Sequence, residues 1–292
     1  MSTSQPGILL PIPQHARYLT FSVKDGANPR GALRALRGEA DGERVVAGIG
    51  ESLASALGRD IEGLRAFPSW PGTGLDLPAT PSALWIWARG EDRGELYHRS
   101  RRIERALAPA FRLEQVLDAF RHDRGRDLTG YEDGTENPKG ARARRAAIAP
   151  APSPLAGSSF AAVQQWEHRF ERFEAMTPRS RDSAIGRRRS DNAEIAGAPL
   201  SAHVKRTAQE NFDPPAFVVR RSMPWADAMH AGLVFVAFGA TLDAFEAQLR
   251  RMAGLDDGIT DALFRFTRPV SGAYFWCPAM RRGQLDLSPL GL

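Results

Sequence analysis

Cysteine is almost missing from this chain: among 292 residues only Cys277 carries a thiol. No internal disulfide and no cysteine-based zinc cluster can form. Lysine is nearly as scarce. Lys24, Lys139 and Lys205 are the only three, so the net charge of +5 and the pI near 9.8 rest on arginine. Blocks such as HRSRRIER and IGRRRSDN interleave those arginines with acids, a pattern of solvated, ion-paired faces rather than a continuous basic stripe. No nucleic-acid partner is expected. Long apolar runs are absent too, since none approaches the roughly 18 residues a membrane-spanning helix needs. The start MSTSQPGILLPIPQHAR has no basic region before an apolar one and no twin-arginine pair, so the expectation is a cytoplasmic protein without membrane association.

Several signatures are incomplete. VVAGIGESL runs from a strand-like stretch through Gly48 and Gly50 but has Leu53 where a dinucleotide fingerprint needs its third glycine, so it reads as a plain strand-to-helix turn. The acidic loop GYEDGTENP fails as a calcium loop: with Gly134 at the sixth position, Thr129 occupies the first, where a carboxylate is required. Neither G-x-x-x-x-G-K-[ST] nor H-E-x-x-H occurs.

What is present is an ordinary globular composition, with 42% hydrophobic and 25% charged residues, and enough length for one large or two ordinary domains. YLTFSV, RVVAGIG and ALWIWARG read as strands, and YHRSRRIERALAPAF as a helix. From residue 158 onward, SSFAAVQQW, AFVVRR, GLVFVAFG and GAYFWC read as strands. Leu242, Phe245, Leu249 and Met252 make one stripe on a helix that Thr241 caps and Gly254 stops. Between the halves lies a Gly-, Pro- and Arg-rich stretch without periodicity, read as a domain connection. The halves share size and element order, which suggests a duplicated α+β fold and places the acidic loop at an interdomain seam.

Six histidines compete for chemistry. His15, His98 and His122 lie in leader or charged contexts, His168 falls off the stripe of Trp166, Phe170 and Phe173, and His230 precedes a strand. His203, in GAPLSAHVKRT, follows a turn and sits between small residues and Val204. One histidine there speaks against a multi-histidine zinc or non-haem iron site. Haem needs only one protein ligand.

Read in order, G-x-x-D-G (Gly130 to Gly134, extended as DGTENP), IGRRRSDN, AHVKRT, VVRRSMPW and GAYFWCP run from about residue 124 to 278. The series resembles the dye-decolorising peroxidases, specifically their compact bacterial B-type (P-type) group. The resemblance implies two ferredoxin-like α+β domains of the dimeric α+β barrel-like superfamily. Residues 1–140 would form the first, ending in the Asp133 loop, and residues 141–292 the second, holding most of one haem b per chain. Position by position, it implies His203 as the proximal iron ligand, Asp133 as the distal acid–base group and Arg187 near the haem propionates, with Gly134 and Glu136 in the same cofactor-binding loop. The R-x-[NS]-M-P pattern selects Arg220, with Ser222 on the same strand face and Arg221 on the other.

These residue types suit peroxide chemistry. A carboxylate such as Asp133 can carry a proton from one peroxide oxygen to the other, while the permanently charged Arg220 stabilises negative charge on the departing oxygen and Ser222 holds a bridging water. His203 should donate its second ring nitrogen to an acceptor, with Asp261, Asp256, Asp257 and a backbone carbonyl all open as partners. The expected activity is an H2O2-dependent peroxidase acting on dyes, phenols or similar one-electron donors. The alternative is a haem carrier, store or iron-releasing (deferrochelatase-like) protein built on the same pocket. Trp166, Trp225 and Trp276 read as core packing, Cys277 as an inert buried thiol, and RRGQLDLSPLGL as an ordered terminus rather than a tail for docking in a nanocompartment. A homo-oligomer is implied by the resemblance.

Overall fold

The computed structural model describes residues 3–70 and 74–292. Its first half runs β1 (His15–Val23), α1 (Arg30–Glu39), β2 (Val45–Ile49), the short α2 (Glu51–Ala56), β3 (Leu84–Gly90), α3 (Arg93–Leu107) and β4 (Phe111–Phe120). The strands pair antiparallel in the order β4-β1-β3-β2. Asp92 caps α3 by accepting from Glu95 N at 2.8 Å, and Leu96, Ile103 and Leu107 are its buried face. YHRSRRIERALAPAF is therefore helical only as far as Leu107. Pro109 lies just beyond, where its missing N–H costs nothing.

The stretch read as a connection carries α4 (Gly140–Ala147). The second half follows with β5 (Ser159–His168), α5 (Phe170–Ala175), α6 (Pro178–Ile185), α7 (His203–Arg206), β6 (Val219–Arg220), β7 (Met223–Ala226), β8 (Ala231–Gly239), α8 (Asp243–Met252), β9 (Thr267–Pro269) and β10 (Ala273–Cys277). Its sheet order is β10-β5-β8-β6, with β7 also on β8 and β9 on β5. Counting principal strands within each half, both orders read 4-1-3-2. That is the antiparallel ferredoxin-like arrangement used twice, as the duplication predicted. Of AFVVRR only Val219 and Arg220 are in a strand.

The two sheets are one. β2 and β10 join them antiparallel through Trp276 opposite Ile49, and β4 lies beside β7, so the sheet curls back on itself. Strand alternation then creates two cores. One face carries Phe21, Ile86, Tyr274 and Trp276 against the helices. The other encloses Tyr18, Trp85, Trp87, Phe238 and Phe275, with Ile8 of the leader packed among them. The tryptophans at 166, 225 and 276 are all buried, as is Cys277, whose thiol burial pushes well above its ordinary value. Beyond β10, the hairpin strands β11 (Met280–Arg281) and β12 (Gln284–Leu285) lead to a terminus whose Leu285, Leu287 and Leu290 are buried in the first core.

Candidate active site

The acidic loop is shaped by its glycines and tied at both ends. Gly130 and Gly134 adopt φ of +87° and +78°, conformations in which a Cβ is strained. A Cβ at Gly134 would also come within 2.8 Å of the Asn137 amide, and one at Gly130 would meet the Arg189 guanidinium at 2.3 Å. Tyr131 donates its hydroxyl to Asp182 Oδ1 at 2.6 Å, anchoring the loop to α6, and Arg126 Nη1 donates to Gly130 O at 2.6 Å. At the far end, Asn137 Nδ2 donates to Arg220 O at 3.0 Å and Asn137 Oδ1 accepts from Arg220 N at 2.8 Å. One side-chain amide thereby does for β6 what a neighbouring strand would do.

That clamp brings two side chains together. Arg220 Nε lies 3.8 Å from Asp133 Oδ1, with side-chain exposures of 13% and 26%. The separation exceeds a hydrogen bond. Arg221 points elsewhere, donating to Leu9 O at 2.8 Å and to Arg220 O at 2.9 Å, as expected for alternate faces of an extended chain.

His203 opens α7, where Thr207 Oγ1 donates to its carbonyl at 2.8 Å. Its Nδ1 lies 2.8 Å from Asp261 Oδ2, and that carboxylate is wholly buried. Of the partners left open by the sequence, Asp257 is taken by a two-point ion pair with Arg206, and Asp256 faces Arg250. Asp261 Oδ1 meanwhile accepts from Leu263 N at 2.9 Å, capping a short 3₁₀ turn at residues 262–265. One carboxylate thus caps a turn with one oxygen and orients an imidazole with the other.

Two cavities of about 130 and 190 Å3 share Glu132, Asp133, Ile185, His203, Thr207 and Arg220 as lining residues. The first is walled by Leu233, Phe235, Phe245, Leu249, Met252 and Phe266, largely the inward side of β8 and α8. A histidine backed by a buried carboxylate and a carboxylate–arginine pair therefore line the same partly apolar space. Residues 124–282 match the C-terminal model of the Dyp-type peroxidases. The chain belongs to the Dyp-type peroxidase family. It is 29% identical to a dye-decolorizing peroxidase of Mycolicibacterium paratuberculosis, over 94% of this chain and 83% of that one. A putative Dyp-type peroxidase structure from Shewanella oneidensis superposes with a TM-score of 0.87 at 26% identity, covering 99% and 98% of the two chains. A variant of Rhodococcus jostii DypB in complex with haem has a TM-score of 0.83 at 23% identity, covering 93% and 95%.

In this Dyp-type peroxidase the remaining candidate residues fall unevenly. Arg187 lines the second cavity and is held there by Glu136 Oε1 at 2.5 Å, Glu194 Oε2 at 3.4 Å and Asn192 O at 3.0 Å. Gly134 acts through backbone shape, and Glu136 through Arg187 at the exposed rim. Ser222 is buried with no hydrogen-bond partner for its hydroxyl and does not line the two shared cavities.

Sequence reasoning passed over two groups in the apolar cavity. His168 Nε2 lies 2.8 Å from Asp127 Oδ1, and its Nδ1 lies 2.9 Å from Thr267 Oγ1, which donates to Glu167 O. Both ring nitrogens therefore face acceptors. Burial pushes the Asp127 carboxyl up, but hydrogen bonds from His168 and Thr129 and the His168 charge outweigh it and leave the group below its ordinary value. Asp127 sits six residues before Asp133 in RDLTGYED, which is the one local signal it offered.

Proposed function

We propose that this Dyp-type peroxidase is a haem b enzyme of the compact B-type, one haem per chain, that uses hydrogen peroxide to oxidise small one-electron donors such as dyes or phenols. Residues 1–140 contribute the Asp133 loop; residues 141–292 contribute His203, Arg187 and Arg220. The observation that carries the proposal is that His203, tied to the buried Asp261, and the Asp133–Arg220 pair line the same cavity.

The residues present fit a haem. His203 uses Nδ1 on Asp261, which leaves Nε2 as the nitrogen for an iron ligand. The apolar walls from β8 and α8 suit a macrocycle, and Arg187 at the rim suits its acidic edge. When bound, haem supplies the redox-active iron at which peroxide is reduced.

The chain supplies the proton handling and the charge. Asp133 is close enough to Arg220 to be held on the cavity wall, yet no hydrogen bond to that arginine engages it. It takes the proton from one peroxide oxygen and returns it to the other, a role worth roughly 10²–10⁴-fold in rate. Arg220 stays charged throughout and stabilises the oxygen that leaves, with its backbone fixed by Asn137 before peroxide arrives. The Asp261 carboxylate, 2.8 Å from Nδ1, fixes the orientation of the His203 ring.

The test is spectroscopic and catalytic. Protein reconstituted with haem should show a Soret band and oxidise a dye only when peroxide is added. A normal Soret band with no peroxide-dependent oxidation of any donor would instead favour the haem-carrier reading.

A further inference from the structure

A third cavity, of about 530 Å3, touches the acidic loop only at its last residue, Pro138, and shares no lining residue with the two above. Its walls are Pro138, which ends the loop, Arg142 and Arg145 of α4, and Pro215 and Phe217 of the segment leading into β6. Arg142, Arg145 and Ala146 share one helical face by their i, i+3, i+4 spacing, and all three line it. Neither guanidinium makes an ion pair or a side-chain hydrogen bond among the described residues, although most arginines around the neighbouring site are paired. α4 itself holds no acid, and the nearest acids on α8, Asp243 and Glu246, are engaged by Arg65. Phe217 is 41% exposed, an unusual position for a phenylalanine, and stands beside two prolines that offer flat apolar surface.

We propose that this cavity binds a planar aromatic anion, with its ring on Phe217 and the prolines and its carboxylate or sulfonate between Arg142 and Arg145. Two forked cations at one end of an apolar slot match that shape and charge and leave a neutral ring without its anchor. The site shares no lining residue with the apolar cavity of His203 and Asp133, yet the chain joins the two closely: Pro138 follows the Asn137 that clamps Arg220, Phe217 lies three residues before Arg220, and Ala244 directly precedes Phe245. An aromatic anion bound here docks beside the distal loop as a donor waiting for the enzyme. That role rests on the peroxidase reading; the binding itself does not.

Two probes with the same rings separate these claims: 6-hydroxynaphthalene-2-sulfonate and neutral 2-naphthol. Calorimetric titration without peroxide should show the sulfonate binding about ten-fold tighter than the naphthol, with the preference fading as salt rises. Arg142→Glu with Arg145→Glu should abolish the preference, Arg142→Gln with Arg145→Gln should reduce it, and Phe217→Ala should weaken both probes. In turnover, the ratio of KM values for the two donors should collapse in the same arginine variants. Equal affinity for both probes in the wild type, or a preference that survives charge reversal, overturns the site. So does a change of oligomeric state in the arginine variants, because that would mean a second copy of the chain covers this face. Failure of all peroxide turnover with the binding preference intact would refute the peroxidase reading and leave the anion site standing.

Discussion

The two carboxylate pairs at the site, one reaching the cavity through His203 and the other through Asp133 and Arg220, are built to opposite specifications. His203 and Asp261 stand at 2.8 Å with the carboxylate wholly buried and both its oxygens engaged. Asp133 and Arg220 stand at 3.8 Å with the carboxylate partly open to the cavity. On the first side rigidity extends to the side chain. On the second, rigidity is confined to the backbone, through Asn137, and the acid itself is left without a close partner. The roles proposed above match these designs: an iron ligand gains from the first, and a group that picks up and returns a proton gains from the second.

The sharpest way to break this contrast is to remove the histidine proposed as iron ligand. His203→Ala should abolish the Soret band of the reconstituted protein and with it all peroxide turnover, and retention of both would end its assignment as ligand. Next in size is Asp133→Asn, expected to keep haem and slow the reaction with peroxide by roughly 10²–10⁴-fold in stopped-flow mixing. A third variant tests the tight pair. Asp261→Asn offers one acceptor oxygen to two donors, the His203 ring and Leu263 N, and should weaken haem affinity or activity by about 10–100-fold while shifting the visible spectrum.

The smallest expected effect concerns the pair that belongs to neither side. Asp127, beside His168, titrates below its ordinary value of 3.8. For such a group the stabilisation is fully present above the unfolded-state value and is lost as pH falls through the lower folded value. The wild type should therefore lose stability below about pH 4, and Asp127→Asn should be less stable at neutral pH with a flatter acid limb. Melting temperatures from pH 7 to pH 3 would check this; parallel curves for the two proteins would remove Asp127 from the account.

Much of this was legible before any coordinates. The strands β1, β2, β3, β5, β8 and β10 announce themselves by apolar runs between turn residues, and α8 by its stripe. β4 escaped because most of its residues from Phe111 to Phe120 are exposed or half-buried, so it lacks a clean alternation. α4 escaped because GARARRAA offers little but alanine to its buried face. Asp133, His203 and Arg220, which line one cavity, were singled out through motifs. Asn137 was not, although it lies in the same DGTENP stretch, because its bonds go to Arg220, 83 residues away.

The partner of His203 shows the same limit. Three aspartates near residue 260 were equivalent as letters, and only packing separated them: Asp256 and Asp257 turn toward arginines, and Asp261 turns inward. His168 was set aside because it lies off a helical stripe, yet it ends the strand β5 and faces an aspartate 41 residues earlier.

Local order therefore decided a great deal by itself: which segments are strands or helices, where the chain turns on glycine, and which residue types carry acid, base and cation. Those properties depend on neighbours a few residues apart, which a sequence displays directly. Tertiary structure alone decided that two four-stranded units become one curled sheet, joined at Ile49 and Trp276, and that loop, helix and strand meet around one cavity. Such contacts are made between residues dozens to hundreds of positions apart, and their strength depends on burial and distance, which no run of letters contains.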